Sequence, residues 1–189
     1  MPKLKTIVES VVREHVESAA FQWAQRDTLA AEDPPDLPAI AHVDARLEAN
    51  LDGIRIAGAA AWPFLINAFE SFPEKGELFA VAFHALDTAD ARRIEQALAF
   101  ARFCESGPRG LFGAFEWLAP KITAPVVRVW IDAGDPIKIE AALTALIAHG
   151  GNPGTRLERF LRHDAPGVRA AAERLQAAIT AHEDALPAP

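Results

Sequence analysis

Histidine, cysteine and carboxylate positions decide first whether this chain could do chemistry. Six histidines are present, His15, His42, His84, His149, His163 and His182. None sits in an H-E-x-x-H, a repeated His-Glu pair or a Cys/His cluster, the spacings that aim two or more ligands at one metal ion. The single cysteine, Cys104, excludes an internal disulfide. No histidine stands near it in sequence to act as a base for it, so it reads as a small buried side chain. The stretch Gly107-Pro108-Arg109-Gly110-Leu111-Phe112-Gly113 has the glycines of a phosphate-cradling loop. It lacks the Gly-Lys-Ser/Thr ending and reads as a turn that opens a helix. Asp44, Glu48 and Asp52 are spaced i, i+4, i+8 and share one helix face. They could gather a cation or a basic partner, or form a solvated edge in which Asp52 pairs with Arg55 three places on. The expectation is a protein without catalytic residues, metal ligands or a cofactor.

The elements that carry these residues show a repeat. Phe79-Ala82-Leu86, Leu111-Ala114-Leu118, Ile139-Ala142-Leu146 and Val168-Ala171-Leu175 share a large apolar residue, an alanine three places on and a leucine four places after that. Steps of three and four fall on one stripe of a helix. The closing leucines are 32, 28 and 29 residues apart, a period that marks stacked helical hairpins. Before each triplet comes a helix rich in large apolar residues: Trp62 to Phe69, Ile94 to Ala101, Val126 to Ile131, and Leu157 to Leu161. Pro63, Pro125, Pro136, Pro153 and Pro166 stand where helices should start, because the missing N–H has no helical partner there. The spacing predicts an all-α fold, a short α-solenoid. Its small alanines would let neighbouring helices approach closely.

Upstream, about Leu4 to Ala30 and Ile40 to Ala57 read as two helices joined by the acidic, proline-rich stretch Glu32 to Pro38. The organisation expected is an N-terminal helical pair over 1–58, about four hairpins over 59–181 and a frayed tail over 182–189.

The net charge of −7 opposes a general affinity for nucleic acid, whose phosphates call for a basic surface, and opposes an anionic membrane. Arg156, Arg159, Arg162, Arg169 and Arg174 cluster late in the chain, but Glu158, Asp164 and Glu173 sit among them, so a mutually paired, solvated face is expected. No segment approaches ~20 unbroken apolar residues, so no membrane span is expected. The start of the chain lacks a signal-peptide core, and a cytoplasmic location is expected.

The segments Asp135 to Leu143 and Asp164 to Ala172 resemble HEAT-like repeats: an Asp-Pro-type turn opens a helix in which an apolar residue and a charged one precede the alanines. The resemblance covers about Ala59 to Thr180. His15 to Asp27 and His42 to Gly58 are similar to the start of a family of bacterial HEAT-repeat proteins of unknown function, some of which lie near type VI secretion genes. The chain is shorter than those relatives. The resemblance implies a helical-hairpin array and a protein-binding role, and it transfers no catalytic residue. It also implies a partner: a secreted effector or its delivery machinery, with this chain as adaptor, chaperone or immunity protein. A self-associating structural subunit is the alternative, and a metal-dependent enzyme the third.

If each triplet faces the core, the residues two, six and nine places before its closing leucine face away from it. Those positions form three columns: His84, Glu116, Thr144 and Glu173; then Ala80, Phe112, Glu140 and Arg169; then Glu77, Arg109, Ile137 and Pro166. Equivalent positions of stacked repeats line up into one extended surface. Its charges around Phe112 and Ile137 would suit an interface with an apolar centre and a polar rim. The plainer alternative is a row of ordinary exposed positions.

Overall fold

The computed structural model describes residues 8–184, apart from the side chain of residue 183. The described chain is helical, with no strand. The helices are α1 (Glu9–Ala30), α2 (Leu37–Ala57), α3 (Trp62–Ser71), α4 (Lys75–Asp87), α5 (Ala91–Ala101), α6 (Arg109–Trp117), α7 (Pro120–Trp130), α8 (Pro136–Ala148), α9 (Leu157–Leu161) and α10 (Pro166–Asp184). Helices stand at all the expected places, and the triplets fall on or at the end of α4, α6, α8 and α10. The start expected near Leu4 and the last residues of the expected tail lie outside the described residues. His182 continues α10.

Local chemistry sets the helix starts. Asp36, Asp90 and Asp135 are N-caps whose carboxylates accept the N–H groups of Ala39, of Arg92 and Arg93, and of Ile137. Each satisfies donors that a helix start leaves orphaned. Pro38 falls in the first turn of α2, which therefore begins earlier than the expected Ile40. Pro125 departs from expectation: it lies inside α7 rather than at a start. Its site is exposed, where water can reach the carbonyl that a proline leaves unbonded.

The chain forms two compact units, Met1–Leu111 and Phe112–Pro189. The division expected at residue 58 is not where they part, because α1 packs on α4 as well as on α2. In the first unit α4 is the hub, covered by α1, α3 and α5. Trp23 of α1 stacks on Phe79 of α4 with ring centroids 4.7 Å apart, and both rings are buried. The backbones meet closely at Gly76, where an added Cβ would overlap the carbonyl of Ala20. In the second unit α8 takes the hub position, packed by α7 and α10. Ala141 to Ala145 are buried without a break.

All four triplet alanines, Ala82, Ala114, Ala142 and Ala171, are 0 % exposed. That is the close-packed stripe that the periodicity requires. The hub helices also end alike. Behind α4, Ala89 N–H bonds the Leu86 carbonyl and Asp90 N–H bonds that of Ala85. Behind α8, Gly150 N–H bonds Ile147 and Gly151 N–H bonds Leu146. Both are Schellman closures, which need a left-handed residue. Gly150 supplies it at φ 64°, whereas Ala89 adopts φ 51° against its own Cβ.

Two stability predictions follow from this packing. Ala142→Leu, with no room around it, lowers the unfolding free energy by about 1–3 kcal/mol; urea denaturation with an unchanged value would contradict the close-packed stripe. Ala89→Gly relieves the left-handed strain and raises stability by about 0.5–1 kcal/mol. A loss on that substitution would show that the closure is not strained.

Candidate functional site

Between α1 and α3 in the first unit lies a cleft of about 220 Å³. Arg13, Val16 and Glu17 of α1 line one side, and Phe64 and Phe72 with the polar end of Asn67 line the other. Glu77, in the first turn of α4, reaches the cleft from below. The positions follow from helical spacing: Arg13, Val16 and Glu17 recur at steps of three and four, and so do Phe64, Asn67 and Ala68. The Arg13 guanidinium lies over the Phe64 ring, 5.5 Å from its centroid, a cation–π contact that holds one side of the mouth.

Phe72 is 67 % exposed although it lines the cleft. It stands just past the end of α3, and a second exposed aromatic, Phe103 at 79 %, stands just past the end of α5. The two loops are tied together. Pro73 accepts hydrogen bonds from the Cys104 thiol at 3.3 Å and from the Glu105 N–H at 3.3 Å, and the Ser106 hydroxyl donates to Glu74. Burial pushes the Cys104 pKa up, and the nearby carboxylates of Glu74, Glu77 and Glu105 reinforce this. The thiol stays protonated and serves as a hydrogen-bond donor, as expected of a buried cysteine rather than a nucleophile.

Glu77 is half-buried, and burial raises its pKa, with Glu74 adding repulsion. Its own backbone N–H opposes the rise. No cation stands within ion-pair distance of it among the described residues. Asp27 makes the contrast. Burial also works against its charge, but the Lys75 ammonium at 2.8 Å and the Arg109 guanidinium at 2.8 Å outweigh that and hold its pKa low. Arg109 also covers the Trp23 ring at 5.5 Å, so this ion triad clamps the α1–α4 seam from outside.

The columns read from the sequence are not one surface. His84, Phe112 and Thr144 are buried, as is Ala80, and the expectation that they face away from the core fails. The reason is the hub packing. A helix covered on several sides has no outward stripe, and α4 is buried continuously from Leu78 to Leu86. Glu77, Arg109, Glu116, Ile137, Glu140 and Arg169 are half-buried, and Glu173 is exposed. Arg169 donates to the carbonyls of His163 and Asp164. Burial raises the Glu140 pKa against the pull of Arg174, and its carboxylate abuts Gly167. Of the column residues only Glu77 reaches the cleft. Arg13, Glu17, Phe64 and Phe72 come from helices outside the columns. A phenylalanine directly before the Pro73 loop was the one sequence hint of an exposed aromatic.

The acidic trio of α2 is paired. Arg26 binds Asp44 at 3.1 Å, and Arg55 binds Glu48 at 2.6 Å and Asp52 at 2.8 Å. In the second unit Asp132 takes Arg156 and Arg159, and Glu158 takes Arg162. No group of three or more His, Cys, Asp or Glu side chains could hold a metal ion among the described residues. No described helix is long and apolar enough to cross a membrane. A second, smaller cleft of about 130 Å³ lies between α8 and α10, walled by Leu146, Leu175 and Ile179. It leaves Leu146 half-buried, the one triplet residue not closed into the core. Compared with family models, with curated proteins and with solved structures, the chain matches none of them.

His84 gives a pH prediction. Its Nε2 lies 2.9 Å from the Gly58 carbonyl, so Nε2 carries the proton, and its buried Nδ1 has no partner. Trp62 packs on the ring, and Arg93 lies over Trp62. Burial pushes the pKa below 6.5, and Arg93 adds to this. The Gly58 bond and the charges of Asp87 and Asp90 oppose it. The unfolded chain therefore binds the proton more readily. The contribution to stability is full above pH 6.5 and is lost as pH falls through the folded value. Proton NMR titration of the His84 ring should give a midpoint below 6.5, and a midpoint at or above it contradicts the burial argument.

Proposed function

We propose that this chain is a non-catalytic protein-binding module of the bacterial cytoplasm, built on the HEAT-like plan. Its resemblance points to work as an adaptor, chaperone or immunity protein for a secreted, type VI class effector. The observation that carries the binding reading is the cleft between α1 and α3, with Phe72 on its wall and Phe103 on the loop tied beside it. Two large aromatics at 67 % and 79 % exposure bury little of their surface in the fold. Aromatic anchors with charged groups around them are the usual centre of a protein interface. The pairing of Asp44, Glu48, Asp52 and the late arginines within the chain leaves this aromatic edge as the better candidate than the charged faces.

Tagged protein expressed in its native host should retain one partner in stoichiometric amount. Phe72→Ser and Phe103→Ser should each weaken that retention by about tenfold, the loss of an aromatic anchor, with thermal unfolding unchanged. Retention that both variants leave intact would remove the cleft edge from the interface. A stable oligomer in light scattering, with no partner retained, would favour self-association instead.

A further inference from the structure

The cleft also specifies which part of a partner it would take; this rests on the binding reading above. Its volume of about 220 Å³ falls below the roughly 300–1,000 Å³ of pockets that enclose a cofactor or drug-sized ligand. It is of a size for one long side chain. Its walls are partly aromatic, Phe64 and Phe72, and its carboxylates Glu17 and Glu77 outnumber its single cation, Arg13. Arg13 is already engaged on the Phe64 ring. Glu77 keeps a half-buried carboxylate with no counter-ion among the described residues. An acidic side chain entering here would meet two carboxylates. An aliphatic one would strip water from Glu77 and give nothing in return. A cation answers both demands, since it pairs with the carboxylate and lies against an aromatic face. The chain itself repeats this recognition chemistry: Arg55 lies 4.8 Å over the Phe83 ring while it binds Glu48 and Asp52.

We propose that the cleft receives a lysine or arginine side chain of the protein partner, with Glu77 as its counter-ion, Phe72 as its aromatic platform and Glu17 at the mouth. The carboxylate is then paired only in the complex, and recognition selects a basic segment of the partner.

Nitrogen-15-labelled protein titrated with acetyl-Gly-Arg-Gly-amide, and separately with its lysine and glutamate counterparts, tests this by NMR. The arginine and lysine peptides should shift the amides of Asn67, Phe72 and Glu77 saturably in the millimolar range, as expected for one side-chain contact. The glutamate peptide should leave them in place. Glu77→Gln keeps the shape and removes the charge; it should weaken the basic peptides by about tenfold while the rest of its spectrum stays that of the folded protein. No saturable shift with either basic peptide overturns the proposal, and so does equal binding by Glu77→Gln or by the glutamate peptide. The two readings can fail separately. If Glu77→Gln still retains the partner that Phe72→Ser loses, the cation assignment falls and the binding module stands.

Discussion

The seam between α1 and α4 is the contact on which the rest of the first unit depends. Trp23 lies flat on Phe79, 8° from parallel, with both rings out of water. Such a pair adds about 0.5–1.5 kcal/mol beyond the area it buries. The approach is possible because Gly76 has no side chain where the Ala20 carbonyl comes in. Gly110 repeats the device on another side of α4, where a Cβ would overlap the Lys75 carbonyl and lie 2.7 Å from the Phe79 nitrogen. Helix α4 is thereby clasped by its neighbours' backbones, and its polar residue His84 must find its partner in the turn at Gly58. The same seam fixes how α1 stands beside α3, and hence the width of the cleft between them.

Electrostatics follows the packing rather than leading it. Asp27, Lys75 and Arg109 gather where α1, α4 and α6 begin or end, at the edge of the Trp23–Phe79 stack. A carboxylate there would be costly alone, and two cations make it stable. Arg55 does comparable work between helices: it holds Glu48 and Asp52 on α2 and reaches Asp87 at the end of α4 at 3.6 Å. Arg55 thus occupies Glu48 and Asp52, and Arg26 holds Asp44, which is why the spacing of these three carboxylates gives no cation site.

The core stripe was legible because burial imposes a period. Four alanines flanked by large apolar residues at steps of three and four can be read without coordinates, and all four are closed off from water. The start of α8 was legible because Asp135 stands directly before Pro136, whereas the Asp36 cap of α2 was missed and the helix expected only from Ile40. The outward columns were not. Reading them assumed that a helix with one apolar stripe shows its other sides to solvent, which holds only for a helix covered on one side. The warning was in the sequence of α4 itself: from Leu78 to Leu86 its one polar residue is His84. A helix so apolar all round is a buried one. The cleft was beyond reach for a different reason. Arg13, Phe64 and Phe72 lie far apart in sequence, and no periodicity within one helix says which faces of two helices will stand open beside each other.

Glu77 sharpens the question of what the cleft is for. At the first turn of α4 it gains from the helix dipole, worth about 0.3–1 kcal/mol near a surface, and from its own backbone N–H. Those two gains explain an acidic residue at this position. They do not explain why it stands half-buried in a cleft lined by two phenylalanines, where desolvation raises its pKa. Asp27 shows what this fold does when a buried carboxylate serves stability alone: it supplies two cations. A desolvated carboxylate in an open cleft is instead the arrangement of groups held ready for a ligand. A cation entering the cleft would offset the desolvation of Glu77, as Lys75 and Arg109 do for Asp27.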